Sequence, residues 1–372
     1  MFSVPQRADA VLEVNLNAVQ ANFQTVSAMV GPHVRIAAVV KNDAYGLGIV
    51  EITRALVAAG CDLFFVGTLQ EAVVLRSSKI GAAVAVFYDE FTRLKKYYQS
   101  SLIIPVVNNR SELDTISGAG EEQTYFLNVE TGFSRSGLTF DEVRKIYLSG
   151  TFKRHPPAVV LSHLACSDRV ADAMNALQRN RFQAISDLLK PARCSLAASA
   201  GIWLGKAFHF DIVRVGSALY GLNNAGIQPN PLQPVVKLQA KILDIRNVSK
   251  GEAVGYGATF RTVRNSRIAI LGIGYKHGLP RASGNKISVR VAGYLAPLVG
   301  RMSMECTAVD VTDVPEAVCV PAVSVELLGE NFTPNDLAAA AHAYAPEVLM
   351  RLAAGCTRRY LHEPSAPQSV KN

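Results

Sequence analysis

Eight short apolar segments follow one another between residues 34 and 215, and helical patterns separate most of them. The strand candidates are 34–41, 63–68, 82–88, 102–107, 124–130, 158–163, 194–198 and 210–215. The first, a run of β-branched and small apolar residues, reads as a strand buried on both faces. Helical patterns at 51–59, 69–79, 90–99 and 171–189 lie between them. Such an alternation over roughly 200 residues predicts a (β/α)8 barrel of the TIM type. A doubly wound open sheet ranks second, because no G-x-G-x-x-G follows the first strand. Ahead of the series, 11–16 reads as a further strand and the residues up to Met29 as a helix.

Near Gln233 the rhythm changes. Strand patterns at 235–248, 267–274, 286–291, 307–312 and 324–328 follow without intervening helices, then two helices around 334–344 and 346–354. This predicts a mainly antiparallel β domain. At 372 residues the chain suits a large barrel plus a smaller partner. The expected organisation is a barrel over 9–234, a β domain over 235–363 and a disordered tail over 364–372. The first strand is a candidate to fold back onto the β domain.

Composition excludes several classes. No apolar run approaches the roughly 20 residues of a spanning helix, so no membrane segment is expected. The start of the chain lacks an apolar signal core, which predicts a cytoplasmic protein. Six scattered cysteines with no Cys-x-x-Cys pair read as reduced thiols, neither a disulfide framework nor a metal site. The net charge of +8 is spread out, with no basic tract interleaved with aromatics, so no nucleic-acid partner is expected. A modest basic bias also suits anionic ligands.

On a barrel, function is built at the carboxyl ends of the strands. Lys41 ends the first candidate, Arg135 follows the fifth, and His163 ends the sixth. Ser199 ends the seventh, and Arg214, Gly216 and Ser217 end the eighth. Each alone has a dull explanation: a core histidine, a surface charge, a helix cap. Their recurrence at strand ends outweighs those explanations. A lysine at a buried strand mouth is desolvated, which lowers its pKa towards the nucleophilic range. The small residues after strands seven and eight fit a phosphate cradle. A lysine beside a phosphate site suggests a phosphorylated aldehyde cofactor, and pyridoxal phosphate has both handles.

Four phrases carry a resemblance. They are Val39-Val40-Lys41-Asn42-Asp43-Ala44-Tyr45-Gly46-Leu47-Gly48, Gly272-Ile273-Gly274-Tyr275, Gly300-Arg301-Met302-Ser303-Met304 with Val309-Asp310-Val311-Thr312-Asp313, and Arg358-Arg359-Tyr360. In this order they resemble the alanine racemase family, and the likeness runs from about Asp9 to Tyr360. It implies interconversion of L- and D-alanine through an imine of pyridoxal 5'-phosphate. Lys41 then serves the D face and Tyr275 the L face, as two acid–base groups on opposite sides of Cα. His163, hydrogen-bonded to Arg214, is the implied helper of Tyr275. Arg214 is expected to donate to the pyridine nitrogen and Arg135 to contact the phenolic oxygen. Tyr45, Ser199, Gly216, Ser217 and Tyr360 are the implied phosphate anchors. Met304 offers its backbone N–H to the substrate carboxylate. The family also implies a homodimer with shared active sites.

The chain departs from the family pattern at several positions. Asn128 stands where many members carry a carbamylated lysine, so Arg135 lacks that negative partner; a bound chloride is expected there, with Glu130 or water as alternatives. Ala198 replaces an asparagine, Lys276-His277 replace Ala-Asp, and Glu305 replaces an aspartate. These departures bear on rate and substrate preference, serine being the next candidate. A same-fold amino-acid decarboxylase and a non-catalytic pyridoxal-phosphate carrier rank lower. The first would lack the Tyr275 and Met304 phrases; the second would lack the β domain.

Overall fold

A computed structural model of the chain describes residues 9–89, 95–99, 102–118 and 123–361. Two compact units emerge. One holds Val19–Ala44 and Gly48–Gln233; the other holds Tyr45–Leu47, the residues up to Ala18 and those from Pro234 on. The expected tail at 364–372 and residues 90–94 of the expected helix lie outside the described residues. Lys95–Gln99, the rest of that helix, is a single 3-10 turn.

The first unit is built on eight parallel strands: β2 (Arg35–Val39), β3 (Leu63–Val66), β4 (Ala83–Val86), β5 (Ile103–Val107), β6 (Phe126–Asn128), β7 (Val159–Leu161), β8 (Arg193–Ser195) and β9 (Ile212–Val215). From β2 to β8 each strand pairs with the next in sequence, and β2 pairs with β9 through Ala37↔Arg214. A parallel bridge between Ala198 and Arg214 joins the ends of the series, which closes the barrel. Seven fall inside the segments expected from sequence, β8 begins one residue ahead of its segment at Arg193, and each is shorter than its apolar run.

Alternate residues, among them Ala37, Val39, Leu63, Phe65, Ile104, Val106, Phe126 and Leu161, form one apolar cluster. Their neighbours Ile36, Ala38, Phe64 and Val66 are buried too, which explains the lack of polar alternation. The intervening helices include α1 (Leu16–Val30), α2 (Ile49–Ala58), α3 (Leu69–Ser77), α4 (Arg110–Ser117), α5 (Phe140–Leu148), α6 (Thr151–Arg154) and α7 (Ala173–Leu188). A reciprocal cap between Thr68 and Glu71 starts α3, and Thr139 with Glu142 does the same for α5. The sequence reading missed α4 and α5, which bury only Leu113 and Ile116, and Val143 and Ile146. At eight and nine residues they are shorter than the stretch of roughly 11–18 residues over which a helical period is read.

The second unit centres on a sheet in the order β13-β16-β15-β14-β17-β10-β1-β18, with a further β13–β10 pairing. Its strands are β1 (Ala10–Asn15), β10 (Val236–Val248), β13 (Ser266–Leu271), β14 (Ser288–Val291), β15 (Tyr294–Val299), β16 (Thr307–Asp310), β17 (Ser324–Leu328) and β18 (Thr357–Leu361). A small hairpin of β11 (Ala253–Val254) and β12 (Phe260–Arg261) lies apart from it. Strand β1 runs antiparallel to β10 and parallel to β18. Strand β15, unread in the sequence, follows β14 through Ala292 and Gly293, both with positive φ, as a tight hairpin requires. Strand β18 was also missed: its polar sequence carries no alternation, and it exists because β1 pairs with it. The helices α8 (Pro334–Ala341) and α9 (Ala345–Gly355) precede it.

Among the described residues no helix is long and apolar enough to cross a membrane, and no cluster of side chains is fit to hold a metal ion. The six cysteines are free thiols.

Candidate active site

In the barrel unit, β2 stops at Val39, two residues before Lys41. The chain then passes through Asn42, Asp43, Ala44 and Tyr45 with φ of 56°, 53°, 53° and 59°. Left-handed backbone costs a non-glycine residue about 1–2 kcal/mol, so surrounding bonds must hold this turn. The Ala44 N–H donates to Val40 O (2.9 Å) and the Gly48 N–H to Asp43 O (2.9 Å). The Ile49 N–H donates to Asp43 Oδ1 (2.7 Å), and the Asp43 N–H to Glu71 Oε1 (3.1 Å). Lys41 Nζ lies 5.7 Å from the centre of the Phe87 ring. Burial lowers the pKa of this amine, and the charge of Arg135 lowers it further; Glu71 acts in the opposite direction. That is the nucleophilic tendency expected from a desolvated lysine.

Arg214 sits inside β9 rather than at its end, and is 3 % exposed. Its Nη1 donates to Ser195 O (2.8 Å) and Ser195 Oγ (2.7 Å), and its Nη2 to Ser162 O (2.5 Å) and His163 Nδ1 (3.4 Å). The Nε–H has no hydrogen-bond partner among the described residues. Burial, then the charge of Arg135, brings this guanidinium down to about 10, which leaves it a cation at neutral pH. Because arginine only donates, His163 Nδ1 accepts, and the ring proton of the neutral imidazole belongs on Nε2. Burial and the charges of Arg214, Arg135 and Lys41 hold His163 at about 3. The imidazole packs against Phe133, ring centres 5.3 Å apart.

Ser199 lies four residues beyond β8, at the start of a 3-10 turn. Its Oγ accepts from the Gly216 N–H (2.9 Å) and the Ala218 N–H (3.3 Å), which leaves its own hydrogen to donate. Ser217 Oγ accepts from Asn224 Nδ2 (3.1 Å). The cradle therefore differs from the sequence expectation. Two of its amides are committed to Ser199, and two buried hydroxyls remain as donors for an anion. Strands β2 and β9 are hydrogen-bonded neighbours, so Lys41 and Ser217 follow adjacent strand ends. An amine, two hydroxyl donors and a cationic N–H fit a phosphorylated pyridine aldehyde.

Arg135 is exposed, with its guanidinium over the rings of Phe133 (4.3 Å) and Tyr88 (5.9 Å). It lines a cleft of about 710 Å³ with Tyr88, Asn108 and Ser136. Glu130 is committed elsewhere, accepting from the Gly132, Phe133 (2.7 Å) and Ser134 (2.8 Å) N–H groups. Asn128 donates both amide hydrogens, to Asn108 Oδ1 (2.8 Å) and Ser136 Oγ (3.1 Å).

In the second unit, Tyr275 opens a short turn beyond β13. Its N–H donates to Ser303 O (3.1 Å), and the Lys276 N–H to Met304 O (3.0 Å). Lys276 Nζ meets Glu305 Oε1 at 2.7 Å. The two departures from the family pattern are thus partners of each other. His277 Nδ1 accepts from the Gly274 N–H (3.0 Å). A side chain at Gly274 would place Cβ 2.3 Å from Ser303 O, so only glycine lets the two loops meet. Tyr275 is 40 % exposed and Met304 53 %. Tyr275 lines a cleft of about 740 Å³ with Tyr256, Lys276, Arg281 and Arg351. Tyr45 belongs to this unit, and burial, then Tyr344, pushes its phenol up to about 12. Arg358 donates to Gly46 O (2.6 Å), and Tyr360 pairs with Val14 across the sheet.

The sequence reading missed Ser195, Ser162 and Glu71. Ser195 and Ser162 had no signal, since they act through backbone carbonyls and a buried hydroxyl. Glu71 had one: Thr68-x-x-Glu71 is a legible capping box.

The chain matches two family models, "Alanine racemase, N-terminal domain" over residues 14–224 and "Alanine racemase, C-terminal domain" over 235–360. It is 67 % identical over 366 residues to "Alanine racemase 3" of Mesorhizobium japonicum, covering 98 % of this chain and 94 % of that one. It is 60 % identical over 368 residues to "Alanine racemase, biosynthetic" of the same organism, covering 98 % and 93 %. Its fold is similar to the crystal structure of alanine racemase from Bartonella henselae with covalently bound pyridoxal phosphate, with a TM-score of 0.88 and 33 % identity over 95 % of this chain and 100 % of that one. The chain belongs to the alanine racemase family.

Proposed function

We propose that this chain interconverts L- and D-alanine, with pyridoxal phosphate held at Lys41. The observation that carries the reading is the barrel half-site: a desolvated amine after β2 beside the Ser199 and Ser217 hydroxyls after β8 and β9. The names of the relatives support the same activity.

When bound, pyridoxal phosphate supplies an electron-withdrawing ring that acidifies the Cα–H bond of the attached amino acid. Lys41 Nζ takes or returns the Cα proton on the D face and Tyr275 Oη on the L face. Each turnover leaves one group a proton richer and the other a proton poorer, so the reverse turnover or exchange with solvent restores both. Neutral His163, with its proton on Nε2, is suited to donate to the tyrosine oxygen when that oxygen carries charge. Arg214, with its Nε–H free, would hold the ring nitrogen of the cofactor; as a permanent donor it would keep that nitrogen unprotonated and so moderate the electron sink. Ser199 and Ser217, with Tyr45 and Tyr360, would anchor the phosphate, and Gly216, its N–H engaged by Ser199, would contribute by presenting no side chain there. Arg135 would contact the phenolic oxygen of the cofactor, and the Met304 N–H would orient the substrate carboxylate.

Two further assignments belong to this reading. The active unit is a homodimer in which one chain's barrel half-site works with the other's Tyr275 and Met304, whose exposure in the single chain supports it. A small anion, most simply chloride, sits beside Arg135, supported by the commitment of Glu130 to loop amides and by the lack of an acidic partner for Arg135 among the described residues. Six free thiols fit the reducing cytoplasm.

The test is direct. Purified protein with the cofactor and L-alanine should lose optical activity towards an equal mixture, followed by circular dichroism or chiral chromatography. Serine run in parallel measures selectivity. Borohydride should abolish the visible band and label Lys41; a label on another lysine, or no racemisation, defeats the proposal.

A further inference from the structure

The reactive lysine begins one of the least favourable backbone segments of the chain, four consecutive left-handed residues. What holds that segment also sets where the amine points. A carboxylate outside the turn, that of Glu71, reaches it. Glu71 Oε1 accepts from the Asp43 N–H (3.1 Å), while Oε2 accepts from the Gly67 N–H (2.8 Å) and the Thr68 N–H (3.3 Å). A single side chain thus ties the turn after Lys41 to the residue following β3 and to the N-terminus of α3. A Cβ on Gly67 would lie 3.2 Å from Glu71 Oε2 and 3.6 Å from Lys41 Cβ, so carboxylate and lysine stem flank the same glycine. The charged groups that act on the amine are Arg135 and Glu71, of opposite sign, with Arg135 the larger influence. The neutral His163 also feels Lys41.

We propose that Glu71 is the positioning residue of Lys41: its carboxylate pins the left-handed turn to the α3 cap and so orients the amine. The inference rests on the proposed role of Lys41. A cap alone needs less, since α8 is capped in the same reciprocal manner by Thr333 and the shorter Asp336. Glutamate at position 71 has the extra reach to touch Asp43.

Three full-length variants test this. Glu71→Gln removes the charge and one acceptor. Glu71→Asp keeps the charge and can still cap, but falls short of Asp43. Thr68→Ala weakens the cap and leaves the carboxylate in place. In the racemisation assay, both Glu71 variants should lose about tenfold or more in kcat with KM little changed, and Thr68→Ala should keep wild-type kcat while losing thermal stability. A second readout avoids turnover: the pH dependence of reductive methylation at Lys41 in cofactor-free protein, read by mass spectrometry. Its midpoint should move to lower pH in Glu71→Gln, where nothing opposes Arg135, and stay near wild type in Glu71→Asp and Thr68→Ala. Wild-type kcat in Glu71→Asp, or equal kcat loss in Thr68→Ala, overturns the proposal. If Glu71→Gln does not fold, Glu71→Asp against Thr68→Ala decides it. A wild-type protein that fails to racemise alanine defeats the proposed function instead, and the methylation midpoints then still judge Glu71.

Discussion

The two halves of the candidate site are built in opposite ways. In the barrel unit Arg214, Ser199 and Ser217 are buried and Lys41 and His163 half-buried, and carbonyls and hydroxyls of the strands fix the central cation: Arg214 is held by Ser195, Ser162 and His163. In the second unit Tyr275 and Met304 are exposed, and two backbone bonds between loops place them, with the Lys276–Glu305 ion pair at the surface. Polar groups aimed at developing charge act most strongly where water is excluded. The barrel half meets that condition within one chain. The β half calls for a cover, as the proposed second chain would provide.

The largest effect that can break this contrast comes from mixing two dead proteins. Lys41→Ala and Tyr275→Phe should each be inactive, and their isolated heterodimer should recover about half the activity per dimer, since one of two shared sites keeps both groups. A stable heterodimer as inactive as its parents would show that each chain completes its own site.

A smaller effect probes the buried half. His163 is held at about 3, below its ordinary 6.5, so the unfolded chain binds a proton there that the folded chain refuses. The stability this contributes is full above pH 6.5 and is lost as the pH falls towards 3. Between pH 6.5 and 5 the loss should reach about 2 kcal/mol. Urea unfolding of wild type against His163→Gln measures it; an equal pH slope in both would mean that the imidazole is not buried neutral.

The smallest effect concerns Arg135, the exposed exception of the barrel half. Halide-free protein should bind pyridoxal phosphate a few-fold more weakly than protein in chloride. Unchanged affinity and activity would remove the anion from the reading.

Much of the fold was legible because its signals are local. Eight apolar runs separated by helical periods name a parallel barrel, and strand ends point to Lys41 and His163 without knowledge of what they touch. Polar elements were not legible. Helices α4 and α5 are too short for their period to stand out, and β18 depends on the pairing of β1 with residues some 350 positions away. The departures Lys276 and Glu305 looked like separate anomalies, 29 positions apart, and are one ion pair.

The sequence by itself determined the residue types at the strand ends and their order, hence the family and the chemistry they can support. Only the tertiary structure decided how those side chains are held: Arg135 exposed on two aromatic rings, Ser199 engaged with the amides of the next strand's turn, and Lys41 at the head of a left-handed turn gripped by Glu71. The physical reason is range. A hydrophobic period is written in neighbouring residues. The partner of a buried or strained polar group is chosen by distance in space, and its direction follows from the closed barrel, not from any single stretch of chain.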